Sequence, residues 1–388
     1  METRILADRF RHLIGQLFAA PVSARRGGDS RLCLLDGARG LAALAVLMWH
    51  YQHFFYPVGA HAPVAGFEAL EPGRHLFSYL YGYGLYAVPI FWMISGFVFA
   101  SVYYGAEMTA RAFFVNRLSR LYPLHLITLC VVALLQAIAW RQLGVNLIFG
   151  NNDLYHFGLQ LLFASNWGFE RGYSFNAPIW SVSVEVLIYA LFWLTRRWLP
   201  RWGIALPLAL SGALLALKLT TPGNLILQCG YFFFLGVTVC RLHEALRDDR
   251  AMLAALVFAM ITAGFVTLAV GNESMRQLIG LPGLFGGAIL ALVAVEAAAP
   301  RSLRAVATLV GDNTYGMYLW HVPVQLLAFI LLAPYFDMIA LAASPWFLLG
   351  FVVSVAMIAR IGFVLIERPA RTALRRFGSG PHTGISAP

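Results

Sequence analysis

The sequence predicts an all-α fold, a polytopic integral membrane bundle of about ten transmembrane helices with both termini inside (N-in, C-in). Three observations carry that prediction. Mean hydropathy is +0.71, with 60% hydrophobic and only 12% charged residues, so a soluble globule would expose far too much apolar surface. Apolar runs long enough to span a bilayer recur along the chain. The basic residues between them fall on alternate sides.

The spans are expected near residues 39–56, 82–104, 119–140, 178–195, 203–219, 225–241, 251–270, 277–297, 311–332 and 346–366. Short cytoplasmic loops carry the excess of positive charge. Arg111 and Arg117 follow the second span, Arg196, Arg197 and Arg201 the fourth, Arg247 and Arg250 the sixth, and Arg301 and Arg304 the eighth. The tail adds Arg368, Arg371, Arg375 and Arg376, whereas the other side shows only Arg74, Arg141, Arg171, Lys218 and Arg276. This sets the orientation and suits the inner membrane of a bacterium. Two outer loops, 57–81 and 142–177, are rich in Gly, Asn, His and aromatics such as His61, His75, Asn151, Trp167 and Tyr173. That composition suits a sugar, or equally lids and re-entrant segments.

A formal net charge of +10 does not indicate nucleic acid, because the arginines are spread between apolar runs. Cys33, Cys130, Cys229 and Cys240 lie before or within those runs without paired spacing, so neither a disulfide framework nor a metal site is expected. Arginines interrupt every early apolar run, which excludes a cleavable secretory signal. Instead Leu6, Phe10, Leu13, Ile14 and Leu17 recur at helical spacing, as in an interfacial amphipathic helix; a disordered basic tail is the alternative. The expected organisation is a cytoplasmic segment over 1–31, a transmembrane domain over 32–370 and a cytoplasmic basic tail over 371–388.

Chemistry concentrates in LDGARGLAALAVLMWHY, residues 35–51. Arg39 stands at its start and His50 inside it, roughly 16 Å apart along a helix, about half the thickness of a hydrocarbon core. An ionisable group at that depth is costly and marks a functional candidate, although a histidine bonded to a neighbouring carbonyl is the plainer explanation. The directions of the fourth and ninth spans bring Glu185 and His321 to a similar depth. A carboxylate beside an imidazole orients it and raises its basicity, so Glu185 or a neighbour is the expected partner of His50 as general base.

On the inner side, Arg117 and Arg120 in FFVNRLSRLYP share a helical face and suit a diphosphate clamp, with Arg39 and Arg360 as further candidates. For any single arginine, snorkelling anchorage explains as much. Ser95 and Gly96 in FWMISGFVF allow either close helix packing or the passage of a thin ligand.

These residues resemble a known family. LDGARGLAALAVLMWH is similar to the signature of the acyltransferase-3 membrane family, an Arg or Lys followed by His in the first span. IFWMISGFVF, FFVNRLSRLYP, WSVSVEVLIYALF, YGMYLWHVP and the closing IERP follow in the family's order, covering roughly residues 32–370. The resemblance implies a ten-helix enzyme that moves an acyl group, commonly acetyl, from cytoplasmic acyl-CoA to a hydroxyl. The acceptor in such enzymes is often an extracytoplasmic glycan, although some members modify antibiotics or signalling oligosaccharides. By matching position, Arg39 and His50 form the essential pair, Arg117 and Arg120 the donor-binding pair, and Glu185 the acidic position of the fourth-span motif. Val186 stands where many relatives place a second glutamate, which counts against proton shuttling through such a pair. The hydrolase-like C-terminal domain of some members is not found here, which suggests direct transfer.

The expected scheme has arginines holding the CoA phosphates while the pantetheine arm passes Ser95 and Gly96 toward His50. Trp180, Ser181 and His321 are candidates for acceptor binding and oxyanion stabilisation, and an acyl-histidine or acyl-serine intermediate stays open. The rival from another class is a proton-coupled transporter or flippase of a polar lipid or glycan. An integral glycosyltransferase is a second rival, weakened by the lack of an acidic pair in an outer loop.

Overall fold

The computed structural model describes residues 31–104 and 106–378, so the amphipathic helix expected in the first twenty residues lies outside them. Among the described residues all regular structure is helical, and nine segments are long and apolar enough to cross a membrane. The chain is a multi-pass integral membrane protein.

Helix α1, Cys33–His50, tightens at its outer end into a 3₁₀ turn over Tyr51–Phe55. Its first turn leaves backbone N–H groups without intrahelical partners, and a remote carboxylate fills that need. Glu296 accepts from the N–H groups of Cys33 at 3.1 Å and Leu34 at 2.8 Å. The anion also sits at the positive end of the helix dipole.

Helix α2, Arg74–Tyr83, runs through a 3₁₀ turn into α3, Ala87–Tyr103, to make one apolar segment of 30 residues. It starts earlier than the expected 82, because Gly73 (φ 62°) turns the chain and no proline interrupts residues 74–86. The first outer loop is correspondingly short. Helix α4, Ala110–Leu143, is capped by the Thr109 hydroxyl, which accepts from the Ala112 N–H, and ends at Gly144 with φ 73°. A short helix α5, Leu154–Leu161, lies in the second outer loop, and α6, Trp180–Thr195, follows it.

The fifth expected span is α7, Ala205–Thr220, with 16 residues. At ~1.5 Å per residue it reaches about 24 Å, short of a full hydrocarbon core. It leans on α8, Leu225–Leu246, where the Ser211 hydroxyl donates to the Tyr231 carbonyl at 2.9 Å. Helices α9, Arg250–Val270, and α10, Leu281–Val295, form the next antiparallel pair. Phe258 and Phe265 of α9 are 72% and 59% exposed, which suits a helix facing lipid.

The ninth span begins later than the expected 311. A separate polar helix, α11 over Arg301–Asp312, packs along the inner half of α1, and α12, Thr314–Leu332, crosses after it. A Cβ at Gly37 would lie 2.8 Å from that of Ala307, and one at Gly40 2.2 Å from a Val310 methyl, so the two backbones touch. Helix α13, Pro345–Gly362, continues through a π turn into α14, Arg368–Gly378, which lies against α4.

Two hydrophobic clusters result, one around α3, α6 and α8 and the other around α12, α13 and the outer part of α4. Helices α1 and α12 contribute side chains to both. The functional clefts follow that seam.

Candidate active site

Two clefts enter the bundle. The inner one, a narrow cavity of about 70 Å³, is lined by Arg39 of α1, Ser95 and Phe99 of α3, Arg117 and Arg120 of α4, and Ser181, Glu185 and Tyr189 of α6, with Tyr315 and Tyr318 of α12. On each helix these residues stand three or four apart, the spacing of one face. The outer cleft, a cavity of about 560 Å³, is lined by His50 and Trp49, by His53 and Tyr56, and by Pro178 and Trp180 with parts of the second outer loop. Adjacent residues thus face opposite ways, Trp180 outward and Ser181 inward, and only a thin partition separates the two spaces.

A polar strut fixes that partition. The Tyr318 hydroxyl donates to the Pro178 carbonyl at 2.8 Å and accepts from the Ser181 hydroxyl at 2.7 Å. The Trp92 indole donates to the Ser181 carbonyl at 3.2 Å and meets Trp180 edge-on.

Arg39 and His50 are eleven residues apart, close to three helical turns, so they lie on one face of α1 with one in each cleft. His50 is only 7% exposed. Its Nδ1 lies 2.8 Å from the Val46 carbonyl, which can only accept, so that nitrogen carries the hydrogen. The neutral ring then keeps its lone pair on Nε2, the form a general base requires.

The partner of His50 differs from the expected one. His321 stacks obliquely on it with ring centroids 4.6 Å apart, and His53 stands 5.2 Å away. His321 is fully buried; its Nδ1 faces the Met317 carbonyl at 3.3 Å and its Nε2 has no partner. Gln325 ties the group together. Its amide donates to the His50 carbonyl at 2.7 Å and its oxygen accepts from His53 Nδ1 at 3.0 Å.

Glu185 is not in that group. Four residues after Ser181 and four before Tyr189, it faces the inner cleft, where Ser95 and Tyr189 are polar neighbours, Arg39 and Arg117 charged ones, and its buried Oε1 has no hydrogen-bond partner. The expected Glu185–His50 pair is therefore corrected. Similar depth did not mean the same side of α6.

The guanidinium cluster is dense. Arg39, Arg117 and Arg371 are cationic neighbours of Arg120, with Asp36 and Glu367 as nearby carboxylates. Arg117 donates to the Tyr103 hydroxyl and lies over the Phe99 ring at 4.6 Å, which holds its plane in place. Arg39 is braced by Asp36 at 3.7 Å. Several cations gathered in one partly buried cleft repel one another, and an oxyanion relieves that repulsion.

Two further expectations are corrected. Arg360 is exposed, lies over Phe363 at 5.5 Å and lines neither cleft, because the last turn of α13 presents it outward. Gly96 faces α8, where a Cβ would sit 1.8 Å from the Phe233 carbonyl oxygen, and Gly236 makes the reciprocal approach to Met93. Only Ser95, one residue and roughly 100° away, lines the cleft. Among the described residues no group of three or more His, Cys, Asp or Glu is arranged to hold a metal ion.

His53, Gln325, Tyr189 and Tyr318 were not singled out in the sequence, and Arg371 was read only as part of the basic tail. Helical spacing could have found three of them. Gln325 and His321 are four apart, as are Glu185 and Tyr189, and Tyr318 is three before His321.

The family model described as an acyltransferase domain matches residues 34–361. The chain is 26% identical over 328 residues to the exopolysaccharide production protein ExoZ of Rhizobium meliloti (strain 1021), covering 81% of this chain and 97% of that protein. It is 35% identical over 107 residues to protein 2 in the picA locus of Rhizobium radiobacter, covering 26% of this chain and 44% of that one. No solved structure matches the chain. With the whole two-cleft core inside the matched residues, the chain belongs to the acyltransferase-3 family and is a membrane acyltransferase.

Proposed function

We propose that this protein is an O-acetyltransferase of the bacterial inner membrane, moving acetyl from cytoplasmic acetyl-CoA to a hydroxyl of an extracytoplasmic glycan. One observation carries the reading. A guanidinium-lined cleft from one side and a histidine-lined cleft from the other end on the same thin partition of Trp180, Ser181 and Tyr318.

Arg39, Arg117 and Arg120 hold the CoA phosphates, and the pantetheine arm runs past Ser95 toward Ser181. The distance from the arginine layer to His50 is roughly 16 Å by helical rise, on the order of that arm's extended length. Displacement of the Ser181–Tyr318 strut opens the partition to the thioester, and His50 Nε2 then takes the proton of the acceptor hydroxyl as its oxygen attacks the thioester carbonyl. The carbon–sulfur bond then breaks, and the departing CoA thiolate receives the proton. General-base assistance of this kind contributes about 10² to 10⁴ in rate. Glu185, buried among Ser95 and Tyr189 near Arg39 and Arg117, helps to orient those two cations.

The ExoZ relative is described as an exopolysaccharide production protein, which favours a glycan acceptor over a transported cargo. Mass spectrometry of surface and exported glycans from a deletion strain tests the assignment. Acetyl groups should vanish on deletion and return with the wild-type gene but not with His50→Ala. Glycans of unchanged acetyl content in the deletion strain would overturn it.

A further inference from the structure

The outer cleft carries information about which acceptor it admits. Its lining includes no Asp, Glu, Lys or Arg. Its polar atoms belong to imidazoles, phenols and one amide, among them His50, His61, Asn151 and Tyr173, set between the indoles of Trp49 and Trp180. Flat apolar faces with a few fixed hydrogen-bonding groups are the usual make-up of a site for a small neutral ligand.

The wall is also built in advance. Ile148 lines the cleft with φ 64°, a left-handed conformation that a β-branched residue rarely adopts. Phe175, just before the cleft residues Ala177 and Pro178, has φ 46°. Side chains from elsewhere hold both. The Gln136 amide donates to the Leu147 carbonyl at 2.8 Å and its oxygen accepts from the Leu147 N–H at 3.1 Å; His61 donates to the Ile148 carbonyl at 3.1 Å. Asn152 accepts from the Phe175 N–H at 2.6 Å. Backbone strain maintained by so many tethers is characteristic of a shaped binding surface.

Resting on the reading that the acceptor enters by this cleft, we propose that the cleft selects an uncharged sugar ring and excludes rings bearing carboxylate or phosphate. An anionic ring would leave water for a space without a counter-cation. A neutral pyranose places its apolar face on an indole and its hydroxyls on the imidazoles and the amide.

The test uses purified full-length protein and intrinsic tryptophan fluorescence. The probes are neutral glucose and galactose tetrasaccharides of several linkages, and the same compounds oxidised to the uronate at the terminal C6. Neutral probes should quench saturably and uronates should bind at least ~10-fold more weakly. Tyr173→Arg, which adds a cation to the wall, should tighten uronate binding by at least ~10-fold. Equal binding of the two classes, binding of neither, or no response of uronates to Tyr173→Arg overturns the proposal. Acetyl-CoA binding, measured by calorimetry on the same preparation, separates the two readings. Acetyl-CoA binding without sugar discrimination removes only the acceptor class, and sugar discrimination without acetyl-CoA binding removes only the donor assignment.

Discussion

His50 and His321 stand with their ring centroids 4.6 Å apart, one lining the outer cleft and the other fully buried with its Nε2 unpartnered. The second imidazole lines neither cleft, so its open Nε2 is a place for a buried water beside His50 rather than for the acceptor itself. His321→Ala should therefore lower kcat by about 10- to 100-fold while leaving KM for acetyl-CoA within twofold, since the donor cleft is untouched. Initial rates of CoA thiol release read both constants. An unaltered kcat would reduce His321 to packing.

Gln325 is the only link between the His50 carbonyl and the His53 ring that the hydrogen bonds reveal among the described residues. Gln325→Leu keeps the volume but strands a buried donor and a buried acceptor, at about 1–3 kcal/mol each. Thermal unfolding in detergent should show a lowered Tm, and kcat should fall with it. A Tm equal to that of wild type would mean that water or another side chain takes over both bonds.

The arginines separate into two classes by position. Arg117→Ala with Arg120→Ala removes two cations from the inner cleft and should raise KM for acetyl-CoA at least ~10-fold, because charge-assisted phosphate contacts are worth roughly 1.5–3 kcal/mol each. Arg360→Ala, outside both clefts, should leave KM where it was. Equal effects of the two changes would contradict the division.

Gly96 and Gly236 bring α3 and α8 into backbone contact at the wall behind the inner cleft. Gly96→Ala puts a methyl against the Phe233 carbonyl, and neither backbone can give way cheaply. Overpacking of this kind costs about 1–3 kcal/mol or more. The variant should yield less monodisperse protein on size-exclusion chromatography and a lower Tm. Wild-type yield and Tm would show that the helices can part without loss.

Depth was legible in the sequence, and direction was not. Helical rise brought His50 and His321 to one layer, and their rings do meet. The same reasoning brought Glu185 there, yet its stripe with Ser181 and Tyr189 faces the arginines. Rise along a helix fixes one coordinate, and the facing of each helix is set by packing that no single span encodes. Gly96 and Arg360 failed for that reason, one turned toward α8 and the other outward. The span pattern was readable because apolar runs recur along the chain with arginines gathered between them, and the short α7 is the one expected span that falls below full crossing length among the described residues. The pattern's largest misses are helix starts at Cys33, Arg74 and Ala110, each earlier than expected because polar residues extend the helix ahead of the apolar run. The Glu296 cap on α1 joins residues more than 260 positions apart, beyond any local signal.

The central claim is that a base reached from outside acts on a thioester delivered from inside. Sealed inside-out vesicles from the producing cell, supplied with radiolabelled acetyl-CoA on their exposed face, test it most directly. The account predicts label in the luminal glycan with wild-type protein and a rate about 10² to 10⁴ lower with His50→Ala. Equal labelling by the two proteins would contradict it.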